Sequence, residues 1–496
     1  MTLIDDERER TPEKVESPRP PRLRLLDTIF HLTARGTTVE RELRGGLVTF
    51  IAMAYIVVLN PLILGGFSAD AAPLDVEGGW LQAHQVGAMT ALAAGVLTIA
   101  FGVVANLPFA LAAGLGINSF LAVTVVGEVT WPEAMGLVLI NGVLIVVLAV
   151  TGLREAIFNA VPRPLKAGIT VGIGLFIAFI GFVDSGFVTR TPGGPPVQMG
   201  DGGSIASIPT LIFVVGLITM GTLVARKVRG GLLIGLVSTT VLAVVVEAFA
   251  HVGAQSADNP HGWSLNVPTA PSSLFSVPDL SLFGQVSFGA FDRIGPLAAT
   301  MLVFTLFFTN FFDAMGTMTG LATQAGLADE DGNFPGIKRA LVVEGAGAVV
   351  GGGTSSSSNT VFVDSAAGVG EGARTGLASV VTGGLFLVAM FLTPLTGVVP
   401  LEVAASALVV VGAMMVGQIK EIDFADFSVA LPAFMTIVVM PLTYSIANGI
   451  GAGFVTWVLI RTFAGRGRSI HPLLWVVAAG FLVYFARGPV TVVLGG

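Results

Sequence analysis

Apolar stretches long enough to cross a bilayer recur along nearly the whole chain, and they restrict the fold more than any other feature. A helix needs about 20 apolar residues to span a hydrocarbon core of about 30 Å. Such segments lie at roughly 44–64, 86–105, 109–126, 133–152, 167–189, 207–225 and 231–250. A second set lies at about 297–322, 338–352, 359–371, 375–396, 401–417, 428–445 and 446–463. That makes fourteen, in two groups of seven, with a polar stretch rich in Pro, Ser and Asp at 251–295 between them. In lipid every backbone N–H and C=O must be satisfied within its own segment, so the expected fold is an all-α polytopic membrane protein.

Composition agrees. Only 11% of residues are charged, against about 25% in a soluble domain, and 53% are hydrophobic. The 64 glycines suit helices that pack closely in lipid. The absence of cysteine excludes disulfides and thiol chemistry. Residues 1–42 are rich in Pro, Arg and Glu and read as a largely disordered tail without a cleavable signal, with a short interfacial helix at Leu25–Leu32. The chain then divides into a first seven-span repeat (43–250), an extracytoplasmic loop (251–295), a second repeat (296–464) and a C-terminal segment (465–496). Within that last segment the apolar stretch 473–487 either spans or lies in the interface.

Charge placement tests the count. With a cytoplasmic N-terminus, the inner side holds nine Lys and Arg of the N-terminal region. It also holds Arg154, Arg163, Lys166, Arg226, Lys227, Arg229, Lys338, Arg339, Arg374, Lys420, Arg461, Arg466 and Arg468. The outer side holds only Arg190 and Arg293, while Arg487 depends on the last stretch. Twenty-two against two follows the positive-inside bias. Seven spans per half also place the second half upside down relative to the first, the geometry of an inverted repeat.

The third span of each half is too broken for a simple helix. LPFALAAGLGINSFLAV carries Pro108, Gly114 and Gly116, and GGGTSSSSNTVFVDSAAGVG sets a Gly/Ser run before a β-prone TVFV. Irregular backbone at membrane depth is tolerated only where protein or a wet cavity satisfies it, so the matched pair points to a substrate site near mid-bilayer. A half-helix N-terminus there would offer free N–H groups to a polar ligand.

Two acids sit in or beside these segments. Asp313 lies within TLFFTNFFDAMGTMTG, with Asn310 at i−3 and Thr317 at i+4 on the same helix face, flanked by Phe311 and Phe312. A carboxylate at that depth is costly and marks a ligand or ion path; the competing reading is an interhelical hydrogen bond. Asp364 follows TVFV and precedes SAAGV, a position that suits a ligand contact, a helix N-cap, or both. Asn118, just after Gly116, both donates and accepts, which suits a heterocycle edge or a loop cap. Glu344 is a further interior acid, while Glu371 and Arg374 pair locally or face the cytoplasm. The histidines His31, His84, His251, His261 and His471 all fall outside the predicted spans, which argues against a histidine relay or metal site. No phosphate-binding GxxxxGK[ST] loop is present. No cofactor, metal or nucleic-acid partner is expected; the partners are membrane lipid and a small polar solute.

At these residues the chain resembles the adenine/guanine/hypoxanthine permease branch of the nucleobase–cation symporter-2 (nucleobase/ascorbate transporter) family. The likeness runs from about Arg35 to Pro472, through GLVTFIAMAYIVVLNP, GLGINSF, GITVGIGLFIAFIG, NFFDAMGT, VDSAAGVGEGARTGL and EIDFADFSVALPAFMTIVVMPLTYSIANGI. It implies a core domain of spans 1–4 and 8–11 (43–153 and 296–397) and a gate domain of spans 5–7 and 12–14 (164–250 and 400–464). Spans 3 and 10 would each give a short strand and a half-helix around the substrate. The family's substrate acids fall on Asp313 and Asp364, and its span 3 asparagine on Asn118, with Gly116 before it. Two positions depart: Asn310 stands where an acid is common, and Asp364 where Glu is common, preceded by Phe362 and Val363 rather than Tyr-Ile.

The expected function is uptake of purine bases (adenine, guanine, hypoxanthine) by H⁺ symport in an alternating-access cycle, in a bacterial cell membrane, by a chain that forms a homodimer if it follows related folds. Asp313 and Asp364 would accept from purine N–H groups and carry the coupling proton, Asn118 and Asn310 would add mixed polarity, Thr317 would share the polar face, and Phe312 would stack on the base. Uracil or xanthine is a neighbouring alternative. A small anion is another, disfavoured by the two acids. An intramembrane enzyme lacks a nucleophile–base pair, and a channel would not accumulate its solute.

Overall fold

The computed structural model describes residues 21–493 except 70–71, 154–159, 192–195, 206, 257, 272 and 329–333. The side chains of 21–24, Phe312, Gly316, Thr319 and 487–493 are outside that set, and so is Arg154. In order come α1 (Pro21–Phe30), α2 (Val39–Met53), α3 (Ile56–Leu64), β1 (Gly65–Gly66), β2 (Leu81–Gln82), α4 (Ala83–Ala105), β3 (Leu111–Ala113), α5 (Leu115–Phe120) and α6 (Trp131–Thr151). Then follow α7 (Arg163–Asp184), β4 (Val188–Arg190), β5 (Val197–Met199), α8 (Ile208–Ala225) and α9 (Gly231–Ala250). The second half holds α10 (Pro296–Gln324), α11 (Ile337–Gly353), β6 (Asn359–Val361), α12 (Ser365–Gly370), α13 (Gly376–Ala389), α14 (Leu401–Val416), α15 (Phe427–Thr443), α16 (Ile446–Phe463) and α17 (Pro472–Val493). Among the described residues, ten helices are long and apolar enough to cross a membrane. The other predicted spans are the two broken ones and the 17-residue helices α11 and α15.

The helices pack in two groups. α2, α4, α6, α11 and α13 pack among themselves, and α7, α8, α9, α14, α15 and α16 form the other group. Small residues let the backbones meet. On the α4/α13 seam, a Cβ at Gly376 would lie 1.8 Å from the Gly102 carbonyl oxygen, and one at Gly383 would lie 2.5 Å from that of Gly95. α7 and α14 meet in the same way at Gly174 and Gly412. Buried Glu42 of α2 accepts from the backbone N–H groups of Arg374, Thr375 and Ala378, tying α2 to the positive start of α13.

Residues 25–38 of the tail are more ordered than its composition suggests, while 1–20 lie outside the described residues. Phe30 and Leu32 are buried with Leu377, the Arg35 guanidinium donates to the carbonyls of Asn106 and Arg374, and Thr38 caps α2. Two apolar side chains and a desolvated guanidinium are enough to dock the segment before α2. The stretch expected at 473–487 is part of α17, which packs on α16; Phe481 lies 5.2 Å from Phe304 of α10 and 6.2 Å from Phe454, centroid to centroid. The 251–295 segment contains no long helix and is pinned along its length. Ser276 N–H donates to Phe391 O (3.0 Å), Gln85 to Asp279 (2.9 Å), and Arg293 pairs with Glu77 (2.6 Å) and Glu133 (2.7 Å).

Candidate functional site

The two broken spans meet. β3 and β6 pair antiparallel, with Leu111 opposite Val361, Ala112 opposite Thr360 and Ala113 opposite Asn359. Gly114 N–H adds a bond to Ser358 O (2.9 Å) and Phe362 N–H one to Ala110 O (3.0 Å). Backbone that would be orphaned in two separate broken helices is thus paired across the halves. α5 leaves one end of this ribbon and α12 the other, so both half-helices begin at it. α10, which carries Asn310, Asp313 and Thr317, packs against β6, α5 and α12.

Asp364 occupies the N-cap position of α12, yet its side chain makes no capping bond. It is half-buried and accepts instead from the Tyr55 hydroxyl at 3.2 Å. Tyr55 sits at the break between α2 and α3 and is 1% exposed. The capping role is therefore not what holds the carboxylate, and one oxygen of Asp364 is left for another donor. Asn118 is fully buried; its amide donates to Asn60 Oδ1 at 2.5 Å, and its own Oδ1 has no partner among the described residues. Asn60 in turn donates to Thr90 Oγ1 (2.7 Å) and to Ser356 O (3.1 Å), linking α3, α4, α5 and the serine run. Gly116 faces α7: a Cβ there would lie 2.8 Å from Ile173 Cγ2, so its role on this geometry is close packing.

On α10, Asp313 and Thr317 are half-buried, and Asn310 is fully buried with neither polar atom hydrogen-bonded among the described residues. Asp313 feels the charge of Glu344, which is fully buried on α11. Phe311 is buried against Phe307 at 5.4 Å; the Phe312 side chain lies outside the described set. The run before β6 is unusual. Ser355 and Ser357 adopt φ of 51° and 70°, and the hydroxyls of Ser357, Ser358 and Thr360 are buried without partners among the described residues. Left-handed non-glycine backbone beside unpaired buried hydroxyls is the kind of strain that gathers at binding sites.

A hollow beyond α5 is lined by Phe120, Thr124, Glu128, Met301, Thr305, Ser445 and Tyr484. Its lining excludes Asp313 and Asp364, and it approaches the ribbon only through Phe120, two residues beyond Asn118. Glu371, expected to pair locally or face the cytoplasm, is 6% exposed and pairs with Arg44 (2.6 Å) and with Arg229. Arg374 donates to the carbonyls of Val369 and Ala373. Tyr55, Asn60 and the Asp313–Glu344 proximity were not anticipated. The available signals were one of only three tyrosines in the chain and an amide beside Pro61 in an apolar span.

Known proteins bear on this arrangement. The model of the Permease family matches residues 40–452. Guanine/hypoxanthine permease PbuG of Bacillus subtilis is 37% identical over 463 residues, 93% of this chain and 99% of that one. Adenine permease AdeP of Escherichia coli is 33% identical over 461 residues, 92% and 95% of the two chains. Among solved structures, the transmembrane domain of a cyanobacterial bicarbonate transporter, BicA, aligns with a TM-score of 0.59 at 15% identity, covering 83% of this chain and 96% of that one. The murine anion transporter Slc26a9 aligns at 0.58 and 12%, covering 91% and 74%. At such identity the likeness speaks for the fold, an inverted-repeat transporter architecture. On its sequence and its fold the chain belongs to the Permease family and is a multi-pass membrane transporter, not an enzyme.

Proposed function

We propose that this chain imports a purine nucleobase (adenine, guanine or hypoxanthine) together with H⁺, by alternating access, with its N-terminus in the cytoplasm. The observation that carries the reading is the crossing of the two halves at β3–β6, after which Asp364 begins α12 bound by the Tyr55 hydroxyl, while α10 with Asp313 packs on β6 and α12. Relatives named for guanine, hypoxanthine and adenine, alignable end to end, support the substrate class. A purine is flat, with N–H donors on its edges. Asp364 and Asp313 accept from those donors, and Asn310 and Asn118 offer unpaired amide atoms of either polarity. Thr317 contributes a hydroxyl on the same face of α10, Phe312 stacks on the base, and Gly116 keeps α5 close to α7.

A carboxylate that is desolvated beside another acid binds a proton readily, so one of these acids loads H⁺ at the outer face and releases it inside. The group built on α2, α4, α6, α11 and α13 acts as the core (43–153 and 296–397), moving against a gate built on α7–α9 and α14–α16 (164–250 and 400–464). The test is uptake of labelled guanine into proteoliposomes with a panel of unlabelled competitors, with and without a protonophore. Competition by purines but not by uracil, and loss of accumulation when the gradient collapses, are expected. Preferential competition by uracil or xanthine removes the purine assignment, and unchanged accumulation removes the coupling.

A further inference from the structure

The half-helix that Asp364 begins is closed at its other end by a second acid, Glu371, which the transport reading does not use. Glu371 is the C-cap of α12, and α12 packs on α2, in the group of α2, α4, α6, α11 and α13. Its side chain is 6% exposed and has two partners. Arg44 of α2 gives its Nε to one carboxylate oxygen at 2.6 Å, and Arg229 gives an Nη to the other. Arg44 thus belongs to the same group as Glu371. Arg229 does not: it lies in the turn between α8 and α9, in the other group. Beside it Gly230, at φ 66°, brings that turn against α2, with no room for a Cβ next to Ile51.

One acid therefore stands between two basic edges. On one side are Arg44 and Arg41, whose stem reaches over Gly372; a Cβ there would lie 3.3 Å from Arg41 Cδ. On the other are Arg226, Lys227 and Arg229, all exposed. Among the described residues, Glu371 is the only acid paired with Arg44 or Arg229. A desolvated carboxylate that loses its sole partner becomes an uncompensated charge, which makes such a pair costly to open. Here Arg44 travels with Glu371 and stays paired when Arg229 leaves. Arg229 is 62% exposed and returns to water at little cost. The contact between the groups can break without orphaning a buried charge.

We propose that Glu371 and Arg229 form a releasable clasp between the core group and the gate group, closed in the arrangement seen here and opened when the core is displaced against the gate. The inference rests on the reading that these two groups move against each other. Because α12 carries Asp364 at its start and Glu371 at its end, the clasp holds the ligand-bearing half-helix itself. Arg44 keeps the carboxylate paired in both positions. The two partners of the clasp are not equivalent. Loss of Arg229 only frees the gate. Loss of Glu371 also leaves Arg41 and Arg44 facing Arg226, Lys227 and Arg229, and like charges on the two groups then push them apart.

The chain has no cysteine, so Ala34→Cys in the docked N-terminal segment and Ala225→Cys at the end of α8, both exposed, carry the only spin labels. Pulsed EPR on the labelled full chain in lipid nanodiscs reads the distance between the two groups and needs no ligand. Arg229→Gln should enlarge the population at a second distance roughly fivefold, and Glu371→Gln should enlarge it further. Adding Arg229→Gln to Glu371→Gln should move the population part of the way back, because a repelling charge has gone. Arg229→Gln alters an exposed side chain, which keeps the test independent of the folding of Glu371→Gln. A wild-type distance distribution in Arg229→Gln overturns the proposal, and so does a double variant displaced further than Glu371→Gln alone. Guanine uptake on the same variants separates the two readings. Altered distances without any wild-type uptake remove the purine assignment and leave the clasp; unaltered distances with uptake intact remove the clasp and leave the assignment.

Discussion

The two broken spans have the same backbone plan and opposite chemistry. Each gives a three-residue strand and a six-residue helix, and the strands pair with each other. Around α5 the polar residue is a neutral amide, Asn118, fully buried and held by Asn60. Around α12 it is a carboxylate, Asp364, half-buried and held by a single tyrosine hydroxyl. Duplicated architecture thus carries different polar groups: the first copy a buried neutral amide, and the second a half-buried carboxylate. A buried polar group is expensive without a partner and a buried charge more so, which fits an amide that lies deep and an acid that keeps part of its surface exposed.

The largest effect that would break this division comes from Asp364→Asn. Removing a charged acceptor from a ligand should cut purine uptake about 100-fold while leaving Tm near that of the wild type. An uptake loss explained by lost expression would place Asp364 on the structural side instead. Asn118→Ala should lower both uptake and stability. It leaves Asn60 Oδ1 buried without its donor, a destabilisation of about 1–3 kcal/mol seen as a lower Tm in detergent. Wild-type uptake at a lowered Tm would remove Asn118 from the ligand contacts. Tyr55→Phe removes one hydrogen bond to a carboxylate, worth about 1.5–3 kcal/mol when the group is charged, so the Michaelis constant should move roughly tenfold and the protein level little.

The smallest effect lies outside the membrane. The Gln85 amide, with the backbone and hydroxyl of Ser281, holds the Asp279 carboxyl down at about 2. A depressed carboxylate contributes stability that is present above its unfolded value and is lost as pH falls through the folded one. The Tm difference between wild type and Asp279→Asn should therefore be small, steady from about pH 8 to about pH 5, and vanish as pH approaches 2. A Tm difference that persists in a Gln85→Ala background would assign the anchor to His84, which lies 4.0 Å from Asp279, rather than to Gln85.

What the sequence revealed was local. Spans came from runs of apolar residues, and the breaks from Pro108, Gly114, Gly116 and the serine run, because those residues alter backbone geometry where they stand. The polar face of α10 came from helical spacing. What stayed hidden was pairing over distance: Tyr55 with Asp364, 309 residues apart, and Asn118 with Asn60, 58 apart. Neither Tyr55 nor Asn60 breaks a local pattern strongly enough to announce its partner. Glu344 was visible as an interior acid but not as the neighbour of Asp313, because helix rotation is set by packing. The docking of residues 30–38 was masked by their polarity, since its anchors are two apolar side chains and one guanidinium bonded to carbonyls.

The central claim is that a purine base is held between Asp313 and Asp364 where the two halves cross. Equilibrium binding of guanine to the purified full chain, compared among wild type, Asp313→Asn and Asp364→Asn, tests it most directly. Saturable binding in the wild type and a loss of about 100-fold in each variant, with thermal stability unchanged, is the predicted result. Wild-type affinity in either variant would contradict it.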